Sequence, residues 1–526
     1  MRAFLVLILC TAAPATVIGQ EGDPSALTEA QRQRVAVTLN YCRASLLRIR
    51  RYPSKRVLVE ERERILNNLD LNAIRDEEVV NLYSAVLDEI NQTQILETER
   101  RVINERTRRS VQRKLGGDLF VIGAHIATGQ LGNAIQSGTN SWWDYRNAEI
   151  ERDTQAWALE RSRVTGIVDR SSKFLDAAWK LSRRNNIPDR WLVRTDDLIR
   201  LQTAMREPNQ EVRLRVLNRM SRFMECYPPY WYYVARTQQQ LGQLKAAAGT
   251  YQRLAKLGDG HFRKDDMLAS GTANLAMIQE FSGDKSSLKT AEKALEYSTE
   301  SWEVNLSCAW VLNRHEQHAA AEDAILRNLD VELEEQQSSI ALVSLYYHTQ
   351  DVAKLAKILA QERVVARVPI PGLLLSSILL KVDELPMAAR RRVAASFGAT
   401  VDHRHGRDTL VLRSSPDWKL ADARISLKMG DRELAAPRVV STPRGTEVRF
   451  QPGSSAGEGD LGNLTVTLDY PATAPIRLHL EPVAAARIRP RLDLLRVSND
   501  VDGFRISSVE VGQKRLSMLP TPAVRQ

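Results

Sequence analysis

The stretch Tyr230–Gly258, YWYYVARTQQQLGQLKAAAGTYQRLAKLG, decides the fold. It reads either as one aromatic-rich helix pair or as one copy of a repeated unit. Trp231, Val234 and Ala235 share a face of a first helix, and Leu244, Ala247, Tyr251 and Leu254 share a face of a second. Small Ala235 and Ala247 let the two helices approach, while Trp231 and Tyr251 fill the flanking space. Gly242 lies between them and can take the positive φ on which many helices end.

Recurrence is the test of a repeat. The arrangement returns in LASGTANLAMIQEFSGDKSSLKTAEKALEYS, with Leu275, Ala276, Gly283, Ala291 and Ala294. It returns again in VNLSCAWVLNRHEQHAAAEDAILRNL, with Cys308, Ala309, a turn near Glu316, Ala321 and Ile325. A degenerate fourth copy, SIALVSLYYHTQDVAKLAKILAQE, carries Leu342, Tyr346, a turn near Gln350 and Leu355. The turn positions 242, 283, 316 and 350 are 41, 33 and 34 residues apart, so the first interval holds an insertion, placed at GDGHFRKDD.

This pattern resembles the tetratricopeptide repeat (TPR) over about residues 227–362. The resemblance implies a superhelix of helix pairs with a concave groove that takes peptides or partner proteins. On that expectation the groove is lined from the first helices by Arg236, Gln239, Asn274, Gln279, Asn305, Asn313 and Tyr347. Helices from 190 to 226 extend or cap the array, giving a repeat domain over 191–365.

Working outward, the first twenty residues, MRAFLVLILCTAAPATVIGQ, combine basic Arg2, an apolar run and small residues before Gln20. This predicts a signal peptide over 1–19 and therefore export, to a periplasm or cell envelope if the source is bacterial, otherwise into the secretory pathway. The apolar run is shorter than the about 20 residues that span a bilayer. Beyond it remain Cys42, Cys226 and Cys308, odd in number and widely spaced. One pair, Cys226 with Cys308, is conceivable; three buried thiols fit the spacing better.

Residues 20–115 read as helical and coiled-coil-like, broken at Tyr52-Pro53-Ser54. The last turns hold Arg106, Arg108, Arg109, Arg113 and Lys114, the densest basic patch of a chain whose net charge is only +10. Residues 116–190 are rich in small residues and Trp. Ala124, Thr128 and Gly132 recur every fourth residue, and Trp142 and Trp143 follow. Small residues at that spacing allow close helix contact in soluble or membrane settings, so Arg106–Lys114, Trp142 and Trp143 are candidates for membrane or anionic contact. Eight of the nine Trp fall between 142 and 310, which places the large core there.

After a helical linker over 366–399 the period changes to two. TLVLRS, ARISLKM, TEVRFQP, NLTVTLDY, IRLHLEP and FRISSVEV read as strands of a β-sandwich-like domain over 400–526. The fold class is thus mostly α, with a TPR-like α-solenoid followed by an all-β domain. Deleting 400–526 is expected to leave the helical part folded.

Catalytic signatures do not survive inspection. Gly453-Ser454-Ser455-Ala456-Gly457 matches a nucleophile-elbow string but lies in a Gly-rich loop of an all-β region, not between strand and helix. His315 and His318 are three apart, not the four that place both imidazoles on one helix face. His403 and His405 lack an evident third ligand. No cofactor, metal or nucleic-acid partner is expected. The sequence predicts a non-catalytic scaffold for protein–protein interactions in the cell envelope. A membrane-associated assembly factor acting through 100–145 is the alternative.

Overall fold

The computed structural model describes residues 27–52, 161–259, 265–298, 301–331, 335–380 and 387–402, with isolated positions between 57 and 85. Farther along it describes the strands and their flanks between 409 and 517. Helix α1 spans Glu29–Arg51. It opens on a capping box, in which the Gln31 amide N–H donates to Thr28 Oγ1 at 3.3 Å and the Thr28 N–H donates to Gln31 Oε1 at 2.9 Å. It stops at Tyr52, where the following proline forbids continuation. Helix α2 (Arg161–Arg184), α3 (Thr195–Met205) and α4 (Gln210–Met220) lead into the repeats.

The array then runs as pairs. These are α5 (Pro228–Gln240) with α6 (Leu244–Gly258), α7 (Asp266–Phe281) with α8 (Ser287–Tyr297), α9 (Trp302–Arg314) with α10 (His318–Asp330), and α11 (Glu335–His348) with α12 (Val352–Leu359). Prolines begin α5, where a missing N–H costs nothing. Asp265 caps α7 by accepting the Leu268 N–H at 2.6 Å.

The turns between partners are alike. Gly242 and Gly283 have φ of 72°, Glu316 61° and Gln350 56°. In each, the next N–H reaches back to a carbonyl five residues earlier: Gln243 to Gln238 at 2.9 Å, Asp284 to Gln279 at 2.8 Å, Gln317 to Leu312 at 2.9 Å, Asp351 to Tyr346 at 3.0 Å. Asn186, with φ 50°, ends α2 in the same way, Ile187 N–H donating to Ser182 at 2.9 Å. Gly242→Val is expected to destabilise the array by about 1–3 kcal/mol, since a β-branched residue resists left-handed backbone. A thermal midpoint equal to wild type would remove the turn from this account.

Ala247, Ala291, Ala294, Ala321 and Ala324 are fully buried, as the close helix approach requires. Gly271 serves the same end between pairs. A Cβ there would meet Leu254 Cδ2 at 2.7 Å, so any side chain would force Leu254 of α6 to move. The thiols of Cys42, Cys226 and Cys308 are free and buried; the conceivable Cys226–Cys308 bridge does not form. Burial raises all three thiols, Cys226 to about 12, which leaves them unreactive.

Short helices α13 (Glu362–Val365), α14 (Ile370–Leu379) and α15 (Met387–Ser396) follow. Strand β1 (Phe397–Asp402) continues directly from α15, so the sheet begins within the segment read as helical linker. Each strand foreseen from the sequence is present: β2 (Thr409–Ser414), β3 (Arg424–Met429), β6 (Gly445–Phe450), β7 (Leu464–Asp469), β8 (Ile476–Ala484) and β9 (Val501–Val511). Strands β1, β4 (Arg432–Glu433), β5 (Arg438–Thr442) and β10 (Lys514–Ser517) were not foreseen.

All pairings are antiparallel, in the order β4-β3-β7-β8-β9-β1-β2-β6-β5 with β10 also on β9. Long β9 serves both halves. Ser508–Val511 pair with β10, and Phe504 pairs with Ala399 of β1. Its partner β8 is irregular at His479/Leu480 and Val483/Ala484, where bulges bend a strand. The buried faces of both halves, including Leu412, Val448, Phe450, Val466, Leu478 and Val509, meet in one sandwich-like core.

That core does not stop at the sheet. It includes Leu342, Leu355, Ile370, Leu373, Leu374 and Val393 of the helices. Trp418, fully buried, lies edge-on to Phe397 with ring centroids 5.4 Å apart and donates its Nε1–H to Ser396 Oγ at 2.8 Å. The Arg392 guanidinium donates to the carbonyls of Val365 and Val368, tying α15 to the end of α13. The last helices and the sheet therefore share a core. That shared core bears on the expectation that the helical part stands without 400–526, because alternation of period locates strands but not what their faces pack against.

Candidate functional site

The first helices α5, α7, α9 and α11 carry the candidate groove residues, and the structure divides them. Arg236, Gln239, Asn274, Gln279 and Asn305 are buried. Every residue of α7 from Met267 to Gln279 is buried, so this helix presents no open polar stripe there. The buried amides form internal ladders. Tyr251 Oη–H donates to Gln239 Oε1 at 2.8 Å, and Gln239 Nε2–H to Asn274 Oδ1 at 3.4 Å, linking two successive repeats. Asn305 Nδ2–H donates to Asn328 Oδ1 at 2.8 Å, and Asn328 Nδ2–H to the Trp302 carbonyl at 3.3 Å. These bonds link successive helices and fix their register. Helical spacing alone could not separate such a seam from a groove.

Asn313 and Tyr347 remain half-exposed at the C-terminal ends of α9 and α11. Asn313 Oδ1 lies 2.9 Å from His318 Nδ1, and the Tyr347 ring stands edge-on to His348 at 5.8 Å. They belong to a rim formed by the helix ends beside the left-handed turns. Phe281 stands on this rim, 50% exposed. Beside it Glu280 takes three donors. Ser287 Oγ–H donates to Oε2 at 2.8 Å, His315 Nε2 lies 2.9 Å from the same oxygen, and Arg314 Nε–H donates to Oε1 at 3.2 Å. Ser287 Oγ is also 2.8 Å from His315 Nε2. The Arg314 guanidinium lies 5.9 Å from the Trp310 ring. The sequence reading missed Glu280, Ser287 and Arg314. Their signal was position, one turn from residues 283 and 316.

Burial works against the Glu280 charge, yet the hydrogen bonds from Ser287, Arg314 and His315 outweigh it and hold the carboxyl below its ordinary 4.5. A carboxyl lowered in the folded state stabilises fully above its unfolded value, and that share is lost as pH falls through the folded one. Glu280→Gln should therefore cost about 1.5–3 kcal/mol near neutrality, the range for hydrogen bonds to a charged group. The gap in urea midpoint between variant and wild type should shrink once pH drops below 4.5. A gap independent of acid would remove the carboxylate from that role.

The cluster is not a catalytic triad, because a single imidazole nitrogen, Nε2, faces both Ser287 and Glu280 and the serine is fully buried. His315 caps α9 and His318 opens α10, so they do not share a helix face as metal ligands would. Among the described residues no three His, Cys, Asp or Glu gather as a metal site. No helix among them is long and apolar enough to cross a membrane. Arg106, Arg108, Arg109, Arg113, Lys114, Trp142 and Trp143 lie outside the described residues, as do the 453–457 and 403–405 strings.

No protein-family model matches this chain, and no curated protein matches it.

Proposed function

We propose that this chain is an exported, non-catalytic helical-repeat scaffold of the TPR type that binds partner proteins in the cell envelope. The observation that carries the reading is the recurrence of one turn geometry at Gly242, Gly283, Glu316 and Gln350, which sets successive helix ends side by side. Phe281, Trp310, Arg314 and Tyr347 lie at or beside these ends, and mixed aromatic and Arg character is typical of protein-binding patches. On this reading the partner surface is the turn-side rim, and the buried seam of Gln239, Asn274 and Asn305 only spaces the repeats.

The test is a crosslinking pull-down of the mature protein from its own envelope fraction, run beside Phe281→Asp and Tyr347→Ala. A small set of partners lost from both variants, with melting unchanged, supports the rim. Partners retained in full by both variants move the binding surface elsewhere. Recovery of lipid and bulk membrane protein alone favours membrane association through 100–145.

A further inference from the structure

The sheet has two ends, and they differ. At one, β4 is only two residues long, too short to template another strand. At the other, β5 runs for five residues, Arg438–Thr442, with neither proline nor lysine inside it. Among the described residues its one neighbour is β6, in the register Arg438↔Arg449, Val439↔Val448 and Val440↔Glu447. Alternate residues of such an edge turn their backbone N–H and C=O away from the neighbour.

Side chains on the two faces of this edge are both short of a partner. Val448 of β6, on the core face, is fully buried, whereas Val439 opposite it is 43% exposed, with no further strand beside it among the described residues. On the outer face Arg438 sits directly across from Arg449, a like-charge pair that costs stability. Arg449 Nη2–H reaches Glu447 Oε2 at 3.0 Å, and Arg413 of β2 reaches Glu447 Oε1 at 3.3 Å. One carboxylate thus serves two arginines, and Arg438 has no ion-pair partner among the described residues. The two hydrogen bonds hold Glu447 below its ordinary value, so it stays charged and is already committed.

We infer that β5 is an acceptor edge for an extended acidic segment of a partner protein, added as the next antiparallel or parallel strand. The arriving strand would alternate. Its apolar residues would cover Val439 on the core side, and its carboxylates would sit beside Arg438 and Arg449 on the outer side, while backbone hydrogen bonds supply most of the attraction. A second copy of this chain fits less well, since β5 would bring another Arg438 and no carboxylate. The inference uses no residue of the helical rim, so it stands or falls apart from the function proposed above.

The test uses the full chain and three fluorescein-labelled heptapeptides: alternating Val and Glu, alternating Val and Lys, and the Val–Glu peptide methylated at every backbone nitrogen. Binding is read by anisotropy at low salt. The expected result is binding of the Val–Glu peptide at least about tenfold tighter than either control, a factor that one well-placed set of charge and backbone contacts supplies. Arg438→Glu should reverse the preference toward the Val–Lys peptide. Equal binding of the methylated peptide would reduce the effect to bulk charge and overturn strand addition. Absence of binding by all three, or an unchanged preference in Arg438→Glu, would overturn the acceptor edge itself. Arg438 is exposed, so the variant is expected to fold, and its circular dichroism is compared with wild type.

Discussion

A chain cut before Phe397 should no longer unfold cooperatively, and its last helices should be molten. Ile370, Leu373 and Leu374 of α14 and Val393 of α15 are buried in the core that holds Leu412, Phe450 and Val509 of the sheet. Removing the strands returns these side chains to water. At about 1.5–3 kcal/mol for each apolar side chain uncovered, four of them alone approach the about 5–15 kcal/mol that holds a domain together. The truncation also takes away Trp418, whose indole N–H secures Ser396 at the end of α15. The expected readouts are lost near-ultraviolet circular dichroism from the C-terminal helices, dye binding to exposed apolar surface, and proteolysis C-terminal to about Glu335. Retention of a sharp transition at the wild-type temperature would mean that helices and sheet have separate cores.

The second large effect is expected at Asn40. This side chain is 1% exposed in the middle of α1 and makes three bonds to parts of the chain far away. Its Nδ2 donates to the Trp191 carbonyl at 2.7 Å and to the Cys226 carbonyl at 2.9 Å, and its Oδ1 accepts the Val193 N–H at 2.8 Å. Asn40→Leu keeps the branching at Cγ, adds bulk to a closed site and leaves three buried backbone groups without partners. With about 1–3 kcal/mol lost per orphaned group, the variant should be about 3–9 kcal/mol less stable by urea denaturation. Asn40→Asp keeps the acceptor for Val193 but forfeits both donors and buries a charge, so it should do no better. A loss below about 1 kcal/mol for the leucine variant would show that water or local rearrangement satisfies those groups.

Asn40 shows where reading a sequence stops. In ALTEAQRQRVAVTLNYCRASLLRIRR it is one polar residue among the apolar positions of a helix, and nothing beside it names a partner. Its role depends on Trp191, Val193 and Cys226, which lie 151, 153 and 186 residues away. The burial of five of the seven groove candidates was illegible for the same reason. Gln239 and Asn274 were placed on the correct helices, but their exposure is decided by the neighbouring repeat, through Tyr251 and the amide ladder. In the edge strand β5, RVVST shows no strict alternation, and its position at the end of the described sheet gives it meaning.

What the sequence determined by itself is local. The left-handed turns at Gly242 and Gly283 follow from glycine, those near Glu316 and Gln350 from the spacing of the repeat, and six of the strands from Thr409 onward from period-two alternation. Both are properties of neighbours a few residues apart, which the chain carries wherever it folds. The tertiary structure alone decided which faces meet. It made one core of the last helices and the sheet, turned Gln239, Asn274 and Asn305 inward, and left Val439 and Arg438 at the end of the described sheet. Burial and hydrogen-bond satisfaction are set by whatever comes to lie opposite a residue, and no periodicity in the chain records that.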